Sequence, residues 1–374
     1  MKIIMSKRRL NKQQLERIAS NHATVSQSAD DIDLLHGLVI THYGKEVEVL
    51  RLNADKTIAS QTTTRCHFRA KLPTIVCGDI ILWRAPPSNS ATGVIEALLE
   101  RESLLKRPRP YQDPKPVAAN IDTIFITLSP QPAPIISLID RFLIAAENAN
   151  INACILLNKQ DLMGQNQAIT DEINEVLTLY TELGYPVYRY SAVDNGLNDD
   201  IDGTLSESEK DNITQLRTAK ISEVESQETQ RFIDALSNKT SILVGQSGVG
   251  KSSIINTLNG NHRAKIGDIS ASNDKGKHTT TTSQMYQLAG ADARIATGII
   301  DSPGIREFGL WHLSPADIIN GLPEFLTHTD NCKFRDCVHG QSKGCALQVA
   351  FDQGDIHPSR ISSYHHILAS LDQL

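Results

Sequence analysis

Residues 36–100 are patterned as short strands. HGLVITHYG, KEVEVLRL, TRCHFRA and VCGDIILWRA are separated by polar or turn-like stretches. Strands at this spacing predict a small barrel or sandwich. Residues 107–116, RPRPYQDPKP, hold four prolines. Proline lacks the amide that helix interiors and central strands need, so this stretch reads as a semi-rigid linker and a domain boundary.

Beyond it the texture changes. DTIFITL (122–128), ACILLN (153–158), VYRYS (187–191), SILVG (241–245) and TGIID (297–301) are short, apolar and β-rich, and helix-like stretches such as 138–149 and 171–183 lie between them. Buried parallel strands alternating with helices predict a three-layer α/β domain. After about residue 311 the pattern turns helical, interrupted by a Cys/His cluster.

Four of the predicted strands run into sequences with chemistry. GQSGVGKS (245–252) fits the phosphate-binding pattern G-x-x-x-x-G-K-[ST], with the strand SILV entering it and the helix SSIINTL leaving it. Glycines let the backbone approach phosphate, and successive amides form an anion nest at a helix N-terminus. The expected contacts are Gly245, Gln246, Ser247, Gly248, Val249, Gly250, Lys251, Ser252 and Ser253. Lys251 should reach the β- and γ-phosphates, and the Ser252 hydroxyl should ligate Mg²⁺. NKQD (158–161) ends another strand. Asp161 can accept from N1–H and the 2-amino group of guanine, a donor pair that adenine lacks. Asn158 would bond the base or brace the loop, the stem of Lys159 can lie along the ring, and Gln160 is expected among the nucleotide-binding residues. Ser191-Ala192, after VYRY, fits a loop whose backbone amide reads guanine O6. DSPG (301–304) follows TGII, so that Asp301 would hold Mg²⁺ through water and the Gly304 amide would sense the γ-phosphate. KGKHTTTTS (275–283) reads as a mobile loop supplying a threonine to the metal and the γ-phosphate. These are the parts of a switch that orders on GTP and relaxes after hydrolysis.

Their order is unusual. The guanine motif precedes the phosphate loop by more than fifty residues, the reverse of ordinary small GTPases, so the domain is circularly permuted. Contacts survive permutation when the original termini lie close together. Ile305 follows DSPG, where many GTPases carry the water-orienting glutamine. His278 is the nearest replacement by motif.

Cys332, Cys337, His339 and Cys345, spaced C-x₄-C-x-H-x₅-C, form a full tetrahedral zinc set, hence a structural site. Cys66, Cys77 and Cys154 sit in strand-like runs and read as core. Lys and Arg number 37 against 43 Asp and Glu, a net charge of −6 that hides a polarity along the chain. Residues 1–17 hold six basic groups and one acid, an arm suited to nucleic acid or an acidic surface, or a solvated tail. Residues 194–211 hold seven acids against Lys210 and read as an exposed loop. No apolar run approaches the ~18 residues of a membrane span. The start lacks a secretory pattern, and the cysteine usage suits a reducing cytoplasm.

With these parts in hand the sequence closely resembles the RsgA (YjeQ) family of bacterial small-ribosomal-subunit biogenesis GTPases. The matching stretches are SKRRLNKQQ, TRCHFRA with VCGDIILWR, KPVAANID, IDRFL, NKQDL, GQSGVGKSS, KHTTT, DSPGIREFGLWHL and CKFRDCVHGQSKGCAL, running from residue 6 to beyond 345. The resemblance implies a multidomain chain: a basic arm (1–35), an OB-fold barrel that binds RNA (36–106), a circularly permuted α/β GTPase domain (107–310) and a small α-helical zinc-binding domain (311–374). It implies one structural zinc, Mg²⁺ with GTP, and GTP hydrolysis stimulated by the small subunit late in its maturation. It puts a histidine implicated in hydrolysis at His278 and a metal-binding switch threonine at Thr280. The expected partners are GTP or GDP and the small subunit with its rRNA, with no membrane and a monomer in free solution. The interval after Ser191-Ala192 is longer than the family pattern and is expected to be a surface insertion. A different reading of the same residues is a GTP-controlled RNA-binding scaffold, acting on another RNA, whose turnover is incidental.

Overall fold

The computed structural model describes residues 34–88, 90–109, 112–192, 223–260, 283–287, 297–302, 310, 313–334, 337, 339 and 343–371. Five strands come first: β1 (Leu35–His42), β2 (Glu46–Leu52), β3 (Ile58–Phe68), β4 (Ile80–Arg84) and β5 (Gly93–Leu98). They pair in the order β1-β2-β3-β5-β4, and β4 returns to β1, so the sheet closes into a barrel. This is the five-stranded OB arrangement. Alternation does the work: Val39, Val47, Val49, Cys66, Ile81, Trp83 and Ile95 point inward and form one apolar cluster.

The proline-rich stretch differs from the expected linker. β6 (Leu104–Arg109) and β7 (Gln112–Ala119) form an antiparallel two-stranded ribbon that straddles the expected boundary at 106/107. A two-stranded ribbon consists only of edges, so proline costs it few ladder bonds. The ribbon is fastened to the barrel. Ala119 N donates to Cys77 O at 3.0 Å, and Asn120 Nδ2 to Gly78 O at 2.8 Å.

The α/β unit follows. β8 (Thr123–Leu128), β9 (Asn152–Leu157), β10 (Val187–Arg189), β11 (Thr240–Gly245) and β13 (Gly298–Asp301) pair in parallel, in the order β10-β9-β8-β11-β13. β8 and β11 are buried along their whole length, as central parallel strands must be. Ile124, Ile126 and Leu128 pack towards α1 (Ile136–Asn148) and α2 (Gln167–Glu182). Phe125 and Leu243 pack on the other face against Phe232 of α3 (Glu223–Leu236) and Ile254 of α4 (Lys251–Gly260). The sheet does not stop at β13. β12 (Ser283–Gln287) runs antiparallel to β13 and also pairs with β1, so barrel and α/β sheet are one hydrogen-bonded surface of eleven strands.

The C-terminal helices are α5 (Pro315–Asn320), α6 (Pro323–Thr329), α7 (Ala346–Gln353) and α8 (Pro358–Leu371). Ser314 caps α5 reciprocally with Asp317. Among the described residues no helix is long and apolar enough to cross a membrane.

Candidate functional site

Strand β11 ends at Gly245, opposite Thr127 of β8, and α4 begins at Lys251. The turn between them crosses the carboxyl ends of the central strands, where ligands bind in open α/β sheets. Two glycines are forced by geometry. A Cβ on Gly245, whose φ is 136°, would lie 2.2 Å from Thr127 O, and one on Gly250, whose φ is 91°, would lie 2.4 Å from Asn158 Nδ2. The Lys251 ammonium folds back over the turn, donating to Gly245 O at 2.8 Å and Gln246 O at 2.7 Å.

The NKQD segment is tied to this turn. Asn158 is 1% exposed, and both ends of its side chain are used. Nδ2 donates to Val249 O at 2.9 Å, and Oδ1 accepts from Ala192 N at 3.2 Å. Of the two roles open to Asn158, this is the bracing one. Lys159 adopts a left-handed φ of 57°, and its Nζ donates to Gly248 O at 2.8 Å and Gln131 O at 2.9 Å. Asp161 is exposed, and its backbone amide donates to Ser191 Oγ at 3.2 Å. Gln160 N reaches Tyr190 O at 3.4 Å. Residues 158–161, 191–192 and 245–252, far apart in sequence, thus share one cradle. Gln131 and Pro132 line it too, with Pro132 Cδ 3.5 Å from the Cβ position of Gly248. Nothing in the local pattern of 129–135 announces that role.

On the other side, Asp301 closes β13, next to β11, and Ser252 is exposed in the first turn of α4. A hydroxyl and a carboxylate are hard oxygen donors of the kind Mg²⁺ takes. Ser283 Oγ and Ser302 Oγ lie 2.9 Å apart and join the ends of β12 and β13. His278, Thr280, Gly304 and Ile305 fall outside the described residues, as do residues 1–33 of the basic arm and the acidic stretch 194–211.

Cys332, Cys337, His339 and Cys345 converge, with their ligand atoms all within 4.8 Å of one another. Cys332 Sγ and Cys345 Sγ are 3.5 and 3.9 Å from His339 Nδ1. Tetrahedral zinc with bonds of about 2.0–2.3 Å needs ligand separations of about 3.5–3.8 Å, so the set fits the ion. The backbone is shaped to deliver it: His339 is left-handed at φ 53°, and Gly344, at φ 86°, precedes the buried Cys345. Ala346 N donates to Cys332 Sγ at 3.3 Å, which suits a thiolate. Four protein ligands leave no open position, so the zinc is structural. Cys66, Cys77 and Cys154 are buried core residues, as their strand context predicts.

A family model for the RsgA GTPase matches residues 98–210 and 203–311. The chain is 41% identical to the small ribosomal subunit biogenesis GTPase RsgA of Marinobacter nauticus, over 98% of this chain and 97% of that protein. It is 40% identical to the protein of the same name from Pseudomonas aeruginosa, over 98% and 96%. The fold is similar to the crystal structure of YjeQ from Thermotoga maritima, with a TM-score of 0.63 and 24% identity over 91% of this chain and all of that one. YloQ, a circularly permuted GTPase, gives 0.60 and 22% over 91% and 96%.

Proposed function

The chain belongs to the RsgA GTPase family, and on that premise we propose that it acts in the cytoplasm, late in maturation of the small ribosomal subunit. There it hydrolyses GTP, and hydrolysis gates docking and release. The observation that carries this is the joining of the glycine turn to residues 158–161 through Asn158 and Lys159. A phosphate loop and a guanine-reading segment held together make a guanine nucleotide site.

The roles follow from chemistry. Lys251 is near enough to the turn to move from its carbonyls onto β- and γ-phosphate oxygens. Exposed Asp161 accepts from the guanine edge, beside the Ser191-Ala192 backbone. Ser252 and Thr280 would ligate Mg²⁺, with Asp301 acting through water. Bound with GTP, the ion neutralises charge developing on the phosphate oxygens. Gly304 senses the γ-phosphate. His278 orients the attacking water when the small subunit is bound. The arm and barrel grip rRNA phosphates and single strands.

Ile305, in place of the usual glutamine, favours a second reading, a GTP-controlled RNA-binding scaffold with incidental turnover. Single-turnover GTP hydrolysis with and without saturating small subunits separates the two. Strong stimulation that His278→Ala abolishes, with GTP affinity and subunit binding kept, is the expected result. Absence of stimulation in the wild type would move the protein to the scaffold reading.

A further inference from the structure

IDRFL, one of the stretches that carries the family resemblance, holds none of the residues expected to touch the nucleotide. Its carboxylate, Asp140, lies on α1 and is 1% exposed, as is Arg360 of α8. Arg360 Nη1 bonds Asp140 Oδ1, and Arg360 Nε donates to Glu324 Oε1 of α6 at 2.7 Å. Tyr180 of α2 donates its hydroxyl to the same Asp140 oxygen at 2.5 Å, and the guanidinium carbon stands 5.5 Å from its ring centre. Four helices, two from the α/β unit and two from the zinc-bearing region, therefore meet at one guanidinium.

α1 has a second contact. Leu138, Ile139 and Phe142 line a small apolar crevice whose opposite wall is Gly245, Gln246 and Val249 of the glycine turn. The helix that floors the turn is also held from outside. Besides the ionic contact, Asn148 Nδ2 donates to Asp317 O at 3.1 Å, and a Cβ on Gly321 would lie 2.7 Å from Ile144 Cα. Close-packed interiors have low compressibility, so a shift of the outer helices must move α1 or open a gap.

We propose that Arg360 is a positioning residue for the nucleotide site: through Asp140 it fixes α1, α1 fixes the floor of the glycine turn, and the seating of the zinc-bearing region thereby sets how fast the turn releases nucleotide. Apolar packing alone would hold the helices at least as well as a buried ion pair. The ionic contact instead makes α1 answer to one side chain of the C-terminal region. The inference rests on residues 245–252 being the nucleotide's phosphate loop.

The test is stopped-flow release of a fluorescent GDP from the full chain, comparing wild type, Asp140→Asn, Arg360→Lys and the double variant. Asp140→Asn keeps the size and the Tyr180 contact while removing the charge. Each single variant should release GDP about tenfold faster, the usual scale of site coupling. The double variant should be no faster than either, because both changes break one contact. Zinc content and circular dichroism should stay as in the wild type. Release within twofold of wild type in a variant that keeps its zinc would reduce the cluster to a structural contact. A second measurement needs no variant to fold: in the wild type, GDP should slow amide exchange in α8 as well as in the glycine turn. Exchange in α8 that ignores GDP would overturn the proposal. If the wild type binds no GDP at all, or Lys251→Ala binds it normally, the phosphate-loop reading has failed instead.

Discussion

Asn158→Ala is the sharpest probe of the cradle, because one buried side chain joins three segments. The change leaves Val249 O without the donor at 2.9 Å and Ala192 N without the acceptor at 3.2 Å. A buried group stripped of its partner costs about 1–3 kcal/mol. Val249 is 1% exposed and its bond to Asn158 is buried, so its carbonyl takes most of that penalty. Ala192 is only half-buried, and water can replace part of what its amide loses. The total is about 2–4 kcal/mol. Some of it falls on the fold and the rest on nucleotide binding, since the bound state must re-form a turn that is no longer held. Titration calorimetry with GDP and urea unfolding measure the two shares, which together should reach that total. If all of it falls on binding, affinity drops about 30- to 1,000-fold. An unchanged dissociation constant with an unchanged unfolding midpoint would show that Asn158 braces nothing.

Three further outcomes follow from the same structure. Asp161→Asn sets a donor against guanine's own donors, so GTP binding should fall steeply while xanthosine triphosphate, with its complementary carbonyl, gains; unaltered competition between the two nucleotides would refute the base-reading role. Metal analysis should find about one zinc per chain, and Cys337→Ser should lose it and loosen the C-terminal helices while GTP binding persists; an ordered helical region in metal-free protein would contradict a structural ion. Burial pushes Glu324 up to about 7, with a backbone hydrogen bond pulling the other way; Arg360 Nε donates to it, and Tyr180 and Tyr185 face the same space. Because its folded value is raised, its contribution is fully present below pH ~4.5 and is lost as pH rises through about 7, by up to about 3 kcal/mol. Thermal unfolding from pH 5 to 8 should therefore slope downward in the wild type and be flatter in Glu324→Gln, and parallel curves would exclude Glu324 as the titrating group.

What was legible in the sequence was local. The glycine turn, NKQD and the Cys/His set each fit a spacing whose chemistry demands those residue types, and each sits on the element its flanking pattern predicts. The parallel strands were legible because burial on both faces leaves continuous apolar runs. GVIEAL, the fifth barrel strand, alternates over only six residues and did not stand out. The ribbon at 104–119 was hidden because proline marks the absence of a central strand without excluding an edge pair. Arg360 and Asp140 are 220 positions apart, and no periodicity links them. The bracing role of Asn158 was one of two open options, because a side-chain amide serves a base edge and a backbone carbonyl equally well.

The fused sheet gives the permuted order a mechanical consequence. In an isolated α/β unit, β12 would be an edge strand with a row of unpaired backbone groups, a template for unwanted pairing. Here β1 of the barrel occupies that edge. The register places Thr41 opposite Gln284 and Gln284 opposite Asp301. One rung therefore runs from the barrel wall through β12 to the carboxylate at the end of β13. Strands are spaced about 4.8 Å apart, so barrel and carboxylate are separated by about 10 Å of hydrogen-bonded backbone. β12 begins at Ser283, directly after the segment that carries His278 and Thr280, and β13 ends where DSPG starts. The barrel cannot turn relative to the α/β unit without carrying β12 or breaking its pairing at Ser283 and Gln284. A load on the barrel thus reaches both candidate switch segments at their strand anchors, while the zinc-bearing helices act on the opposite wall of the cradle through α1.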